Sequence, residues 1–273
     1  DNGRDAMTLD DVTKRGLVLL GCGKMGGAML KGWLAEGVPA GAVHVIDPAP
    51  SDWLKGTGVA LDGPLPDAPA VLMLAVKPQM MDAALPQVAH LGGPGTLALS
   101  IAAGTPLSRF EAALPEHTPI VRAMPNIPAS VGRGVTALIG NAAAGEAGLA
   151  LAEALLDGIG ETVRLESEDQ MDAVTAVSGS GPGYVFHMVE ALAQAGEAEG
   201  LAPDLAMALA RATVAGAGAL LDASEDSAAS LRESVTSQKG TTAAGLEVLM
   251  DELPDLMRRT VAAAAARARE LGQ

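Results

Sequence analysis

Val235-Thr236-Ser237-Gln238-Lys239-Gly240-Thr241-Thr242 gathers four hydroxyls, one cation and one glycine between two Ala-rich helical segments. Helix packing alone does not require such a loop. A small anion does, because it is held by free backbone N–H groups at a helix N-terminus and by short donating hydroxyls. The competing account is plain capping, since Ser and Thr are among the commonest capping residues. Near the other end of the chain, Gly21-Cys22-Gly23-Lys24-Met25-Gly26 fits the G-x-G-x-x-G pattern of a dinucleotide loop. One segment thus offers a place for a cofactor, the other a place for a small acid on which a cofactor acts.

In a chain with 33 glycines the pattern gains weight only from its setting. It follows the apolar run Leu17-Val18-Leu19-Leu20 directly and opens a helical stretch. In that setting Gly21 permits a tight turn, Gly23 lets backbone approach a pyrophosphate, and Gly26 lets the helix pack on the strand. Lys24 and Met25 supply the first turn of the helix, whose N-terminus faces the phosphates. Asp47 closes the next strand, where an acid binds the adenosine ribose of NAD(H) and repels the 2′-phosphate of NADP(H). Its alternative role is to start the Asp47-Pro48 turn. Ala75-Val76-Lys77-Pro78 leaves a central strand at its carboxyl end, beside the crevice where such sheets bind ligands. There Lys77 is either a ligand contact or a solvated strand-end charge. Met124-Pro125-Asn126-Ile127-Pro128 is another strand exit, held rigid by two prolines, from which Asn126 would point at the nicotinamide side. Cys22 reads as a small loop residue, because no histidine lies near it in sequence to activate a thiol.

These groups need a scaffold, and the apolar pattern supplies one. Strands are expected over 17–20, 43–46, 71–76, 97–101 and 119–122, with 135–139 and 162–165 extending the sheet. Helical patterns lie between them at 25–36, 80–89, 107–114 and 146–156. Alternation of this kind implies right-handed crossovers and a mostly parallel sheet. After about Glu166 the strands stop, and 171–178, 184–199, 203–221, 231–235, 241–250 and 254–271 read as helices. The fold class is therefore α/β: a Rossmann-like, doubly wound, mostly parallel sheet over 17–166, then an all-α domain over 167–273. Residues 1–16 read as a tail, with Met7 a native start and 1–6 vector-derived.

The net charge of −15 argues against nucleic acid and against anionic membrane surfaces as partners. With a single cysteine no intrachain disulfide can form, which fits a cytoplasmic protein. No run of about 20 consecutive apolar residues is present, so no membrane span is expected. The run at 17–20 is too short for a signal peptide. No metal site is predicted.

Together the motifs resemble one family, the pyrroline-5-carboxylate reductases, which carry out the last step of proline biosynthesis. The matching stretches are 21–28, 75–79, 124–129, Ala176-Val177-Ser178-Gly179-Ser180-Gly181-Pro182-Gly183-Tyr184 and 235–249. The resemblance implies reduction of L-1-pyrroline-5-carboxylate to L-proline by hydride from NADH or NADPH. It implies that Ser237, Lys239, Gly240, Thr241 and Thr242 form the loop that holds the substrate carboxylate through backbone N–H and hydroxyl groups. Thr242 would hydrogen-bond the ring nitrogen as the catalytic contact, and the turn beginning at Ser178 would shape the pocket. It also implies a homodimer built from interleaved C-terminal helices, with higher oligomers of dimers common in the family.

Two departures stand out. Relatives usually have Ser-Pro-Gly-Gly where this chain has Ser237-Gln238-Lys239-Gly240, so Lys239 either adds charge near the carboxylate or points to solvent. Many relatives carry an asparagine at the adenosine end of the cofactor, where this chain has Asp62-Gly63. With Asp47 this leans the cofactor slightly toward NADH. None of the four histidines lies in a motif, so no dedicated general-acid side chain is expected. The alternatives are another imine or 3-hydroxyacid dehydrogenase of the same plan, which usually has a lysine on its catalytic helical face, or a nucleotide-sensing protein without activity.

Overall fold

The computed structural model describes residues 7–272; the stretch 1–6, read as vector-derived, lies outside them. Contacts divide the chain into two units, Asp1–Gly179 with Ala265–Gln273, and Ser180–Ala264.

The first unit opens with helix α1 (Leu9–Arg15), inside the stretch expected to be a tail. A capping box explains it: Thr8 N–H donates to the Asp11 carboxylate at 2.8 Å, and Val12 is fully buried. Strand β1 (Leu17–Leu20), α2 (Lys24–Ala35) and β2 (Val43–Ile46) follow, with the strands where the apolar runs place them. Next come α3 (Asp52–Lys55), β3 (Ala60–Leu61) and β4 (Val71–Leu74). β3 escapes a sequence reading because two residues show no period. β4 ends before Ala75, two residues sooner than expected, which frees Val76 to lie against Gly21. The helix expected over 80–89 is broken into α4 (Met81–Ala84) between short 3-10 turns, since Pro86 has no N–H to continue it. The sheet then gains β5 (Leu97–Ser100), β6 (Ile120–Met124), β7 (Gly134–Gly140) and β8 (Gly160–Arg164), linked through α5 (Leu107–Ala113) and α6 (Gly145–Leu156).

The eight strands run in the order β3-β2-β1-β4-β5-β6-β7-β8. Neighbours are parallel except β6 and β7, which are antiparallel. Along β1, Leu17 and Leu19 join one apolar cluster while Val18 and Leu20 join another. Both faces of the sheet are therefore covered, which is why these strands read as unbroken apolar runs. The unit closes with α7 (Met171–Val174) and the π-helical turn Thr175–Gly179. Its remaining piece arrives from far along the chain. Gly104, at φ +69°, would put a β-carbon 3.3 Å from the Leu271 carbonyl oxygen.

The second unit is helical: α8 (Gly181–Ala198), α9 (Pro203–Ala223), α10 (Ala228–Ser234) and most of α11 (Thr241–Leu271). α8 and α9 meet through Ala193, Ala206 and Ala210, small residues that allow close approach. α11 is one helix, although Pro254 reads as a break. Pro254 is exposed, so the carbonyl it leaves without a donor can turn to water, and the helix continues. α9 is long and apolar enough, by length and composition, to cross a membrane, which the count of consecutive apolar residues did not reveal. Asp204, Arg211 and Asp222 interrupt its apolar run, and Arg211 would lie mid-span, where a bilayer core is costly for a cation.

Candidate functional site

Parallel register brings the carboxyl ends of β1, β2 and β4 side by side, and the glycine loop sits on them. Gly21 adopts φ +88°, and a β-carbon there would meet Val76 Cγ1 at 2.8 Å. A β-carbon on Gly26 would meet the Gly21 carbonyl oxygen at 2.5 Å. The protein itself therefore demands both glycines. Gly23 is different: it is exposed, and a β-carbon on it would meet nothing within 4 Å. Its smallness leaves a cradle in front of the α2 N-terminus, which no side chain caps. That is a fit for a pyrophosphate. Lys24 is exposed and Met25 half-buried at this end, and Lys77 is exposed at the exit of β4.

Asp47 is half-buried at the end of β2. One carboxylate oxygen accepts the Cys22 N–H at 2.7 Å and the other accepts the Ala49 N–H at 2.8 Å. It thus makes the expected Asp47-Pro48 turn and also pins the glycine loop. Its own N–H donates to Asp62 Oδ1 at 3.4 Å, and Asp62 sits at φ +45°. Two carboxylates consequently stand at this corner. Burial, with Asp47 adding to it, pushes the Cys22 thiol up from 9.0 to about 11, so it is protonated and inert at neutral pH. Close by, Trp53 is partly exposed, with the Lys31 ammonium 4.8 Å from its ring centroid.

At the exit of β6, the Asn126 side chain bridges two segments. Its Oδ1 accepts the Val135 N–H at 3.0 Å, and its Nδ2 donates to the Ser178 carbonyl at 3.2 Å. Ser178 lies in the π-helical turn, a geometry frequent at functional sites, and its hydroxyl donates to the Val174 carbonyl at 3.1 Å. Nearby, Arg122 is buried on β6 and paired at 2.7 Å with Glu168, whose carboxylate also accepts the Leu107 N–H. Sequence reading missed this pair and the π turn. The unbroken alternation of Ser and Gly at 178–181 was the available signal of irregular backbone.

The hydroxyl-rich loop belongs to the second unit. Thr236 is spent locally, its hydroxyl donating to the Arg232 carbonyl at 2.6 Å. The Gly240 N–H donates to the Ser237 carbonyl at 3.0 Å, and a β-carbon on Gly240 would collide with the Ser237 side chain. Lys239 is exposed and left-handed, at φ +57°. Thr241 and Thr242 form the first turn of α11, both exposed, with side chains that take part in no hydrogen bond among the described residues. Their hydroxyls are thus free at the start of α11, as an anion site needs. No group of histidine, cysteine and carboxylate side chains suited to a metal ion occurs among the described residues.

Residues 168–271 match the family model for pyrroline-5-carboxylate reductase dimerisation. The chain is 38% identical over 264 residues to pyrroline-5-carboxylate reductase of Pseudomonas aeruginosa, covering 94% of this chain and 97% of that one. The structure resembles a pyrroline-5-carboxylate reductase from Coxiella burnetii with TM-score 0.89 and 32% identity, over 95% and 99% of the two chains. It also matches the fold of the Plasmodium falciparum pyrroline carboxylate reductase crystallised with NADP, with TM-score 0.79 and 24% identity, over 96% and 99%.

Proposed function

The chain belongs to the pyrroline-5-carboxylate reductase family, and from that premise we propose how its residues divide the work. The protein is an oxidoreductase that reduces L-1-pyrroline-5-carboxylate to L-proline with NAD(P)H, completing proline biosynthesis. The observation that carries the assignment of roles is the open space before Gly23 at an uncapped helix N-terminus.

Gly21, Gly23, Lys24, Met25 and Gly26 hold the pyrophosphate in our reading. Ala75, Val76, Lys77 and Pro78 wall the crevice beside it, and Asn126 lies toward the nicotinamide. Asp47 binds the adenosine ribose with the lone pairs not already used. With Asp62 at the same corner, two negative charges oppose a 2′-phosphate, so we favour NADH over NADPH. When bound, the nicotinamide supplies the hydride.

Ser237, Gly240 and Thr241 hold the substrate carboxylate through N–H and hydroxyl groups, and Lys239 lends positive charge to that loop. Thr242 hydrogen-bonds the ring nitrogen and orients the imine, which takes its proton from solvent so that reduction of the C=N bond leaves a neutral ring amine. Ser178 and its turn shape the pocket. With no histidine in these segments, catalysis rests on positioning and polarisation more than on a general acid.

The domain division is proposed at residue 166, just before the matched dimerisation region at 168–271, although contacts group 167–179 and 265–273 with the sheet; α8 to α11 form a homodimer interface that higher assemblies could extend. Support comes from apolar side chains exposed on this unit in the single chain, among them Phe186, Met188, Leu205, Leu220 and Val248. A cytoplasmic location fits the single unpaired Cys22. The test is oxidation of NADH and NADPH, in parallel, with L-1-pyrroline-5-carboxylate. Turnover with NADH faster than with NADPH is expected. No turnover with either, in protein shown to bind one of them, would overturn the substrate assignment.

A further inference from the structure

We infer that Asn126 is a positioning residue, which fixes the Ser178 turn by serving a carbonyl that the helix itself leaves without a donor. In a continuous helical run the carbonyl of residue 178 takes the N–H of residue 182. Position 182 is proline, which has none. The run is helical on both sides, with the π turn Thr175–Gly179, then Ser180 at φ −87° and ψ −21°, then α8. The next donor along, the Gly183 N–H, is committed to the Ser180 carbonyl at 3.0 Å. The Ser178 carbonyl is instead met by Asn126 Nδ2 at 3.2 Å.

The residue type follows from this arrangement. Asn126 must donate toward Ser178 and accept from Val135, whose N–H reaches its Oδ1 at 3.0 Å. An amide does both at once, through separate atoms. A carboxylate would set a second acceptor against the Ser178 carbonyl. An apolar contact runs alongside the polar one: a β-carbon on Gly179 would come within 3.1 Å of Met124 Cε, at the same exit of β6. The link therefore ties a strand end in the cofactor crevice to the turn that bears Ser178. Its effect on substrate rests on the pocket role proposed above for Ser178.

The test is a cycle in the full chain: Asn126→Ala, Pro182→Ala and the double variant. Alanine at 182 restores the missing N–H. Asn126→Ala alone, which removes both of its hydrogen bonds, should raise KM for pyrroline-5-carboxylate about tenfold. Adding Pro182→Ala should recover most of that loss, and melting temperatures should show the same coupling. Should Asn126→Ala fail to fold, Asn126→Ser takes its place in the cycle. Additive effects of the two substitutions on both KM and melting temperature would overturn the inference. A raised KM for NADH with substrate KM unchanged would overturn it too, leaving Asn126 as a cofactor contact alone. If Ser178→Ala is kinetically silent while the melting-temperature cycle still couples, the Asn126 link stands and the substrate role given to Ser178 fails.

Discussion

The Asp47 carboxylate accepts the Cys22 backbone N–H at 2.7 Å, so the acid we propose for the ribose also holds the turn we propose for the pyrophosphate. In that proposal cofactor choice and loop order meet in one side chain. Asn at 47 keeps an acceptor for Cys22 but removes the charge. Asp47→Asn should raise kcat/KM for NADPH relative to NADH by about tenfold, or ~1.4 kcal/mol. Asp47→Ala, which loses the tie as well, should weaken both cofactors. Initial rates with each cofactor decide this, and an unchanged NADPH-to-NADH ratio in Asp47→Asn would remove Asp47 from cofactor discrimination.

The Cys22 thiol, raised from 9.0 to about 11 by burial and by Asp47, makes stability depend on alkali. The folded state holds the proton more tightly than the unfolded one. Its contribution is complete below pH 9.0 and is lost as pH rises through about 11. Thermal melts of the wild type should fall more steeply than those of Cys22→Ala across that window. Parallel curves would show that the thiol does not ionise on unfolding there.

Thr242→Ala should lower kcat by about tenfold to a hundredfold, the range expected for a hydrogen bond made to a reacting nitrogen. NADH binding should be unaffected, and Thr242→Ser should restore most of the rate. Titration of NADH by fluorescence together with steady-state kinetics separates the two effects. Near wild-type turnover in Thr242→Ala would exclude the role given to its hydroxyl.

Lys239 occupies a left-handed position, φ +57°, which glycine adopts without strain. An L side chain there costs ~1 kcal/mol. Lys239→Gly should relieve that strain and raise the melting temperature, less whatever glycine loses in the unfolded chain. The same substitution should raise KM for substrate if the ammonium helps gather its carboxylate. Calorimetry reads the first effect and kinetics the second. An unchanged KM would leave Lys239 as a solvated charge in a strained loop.

Much of this was legible in the sequence, for physical reasons. Strands buried on both faces are mostly apolar, so β1 and β4 stand out as four-residue apolar runs. Gly21 and Gly26 are required by contacts within the chain, so the glycine pattern marks a real turn. Other features depend on partners far away in sequence. The Asn126 amide serves Val135 and Ser178, and Arg122 finds Glu168 46 residues on; neither spacing carries a periodic signal. Pro254 misleads because a breaker is tolerated where the carbonyl it orphans can reach water. The tail reading failed at α1 because a capping box and one buried residue, Val12, suffice to hold seven residues of helix.

The seating of Leu271 against Gly104 bears on how the protein is made. The sheet-bearing unit is assembled from both ends of the chain, and its last piece, from Ala265, follows the whole of the second unit in sequence. On the ribosome the strands can emerge and pair early, but the surface around Gly104 stays uncovered until α11 has been synthesised. The nascent sheet must therefore wait, partly open, while the helical unit forms. A chaperone that shields this surface during translation, and a protease that reaches it in truncated products, would both be reading the same unfilled seat.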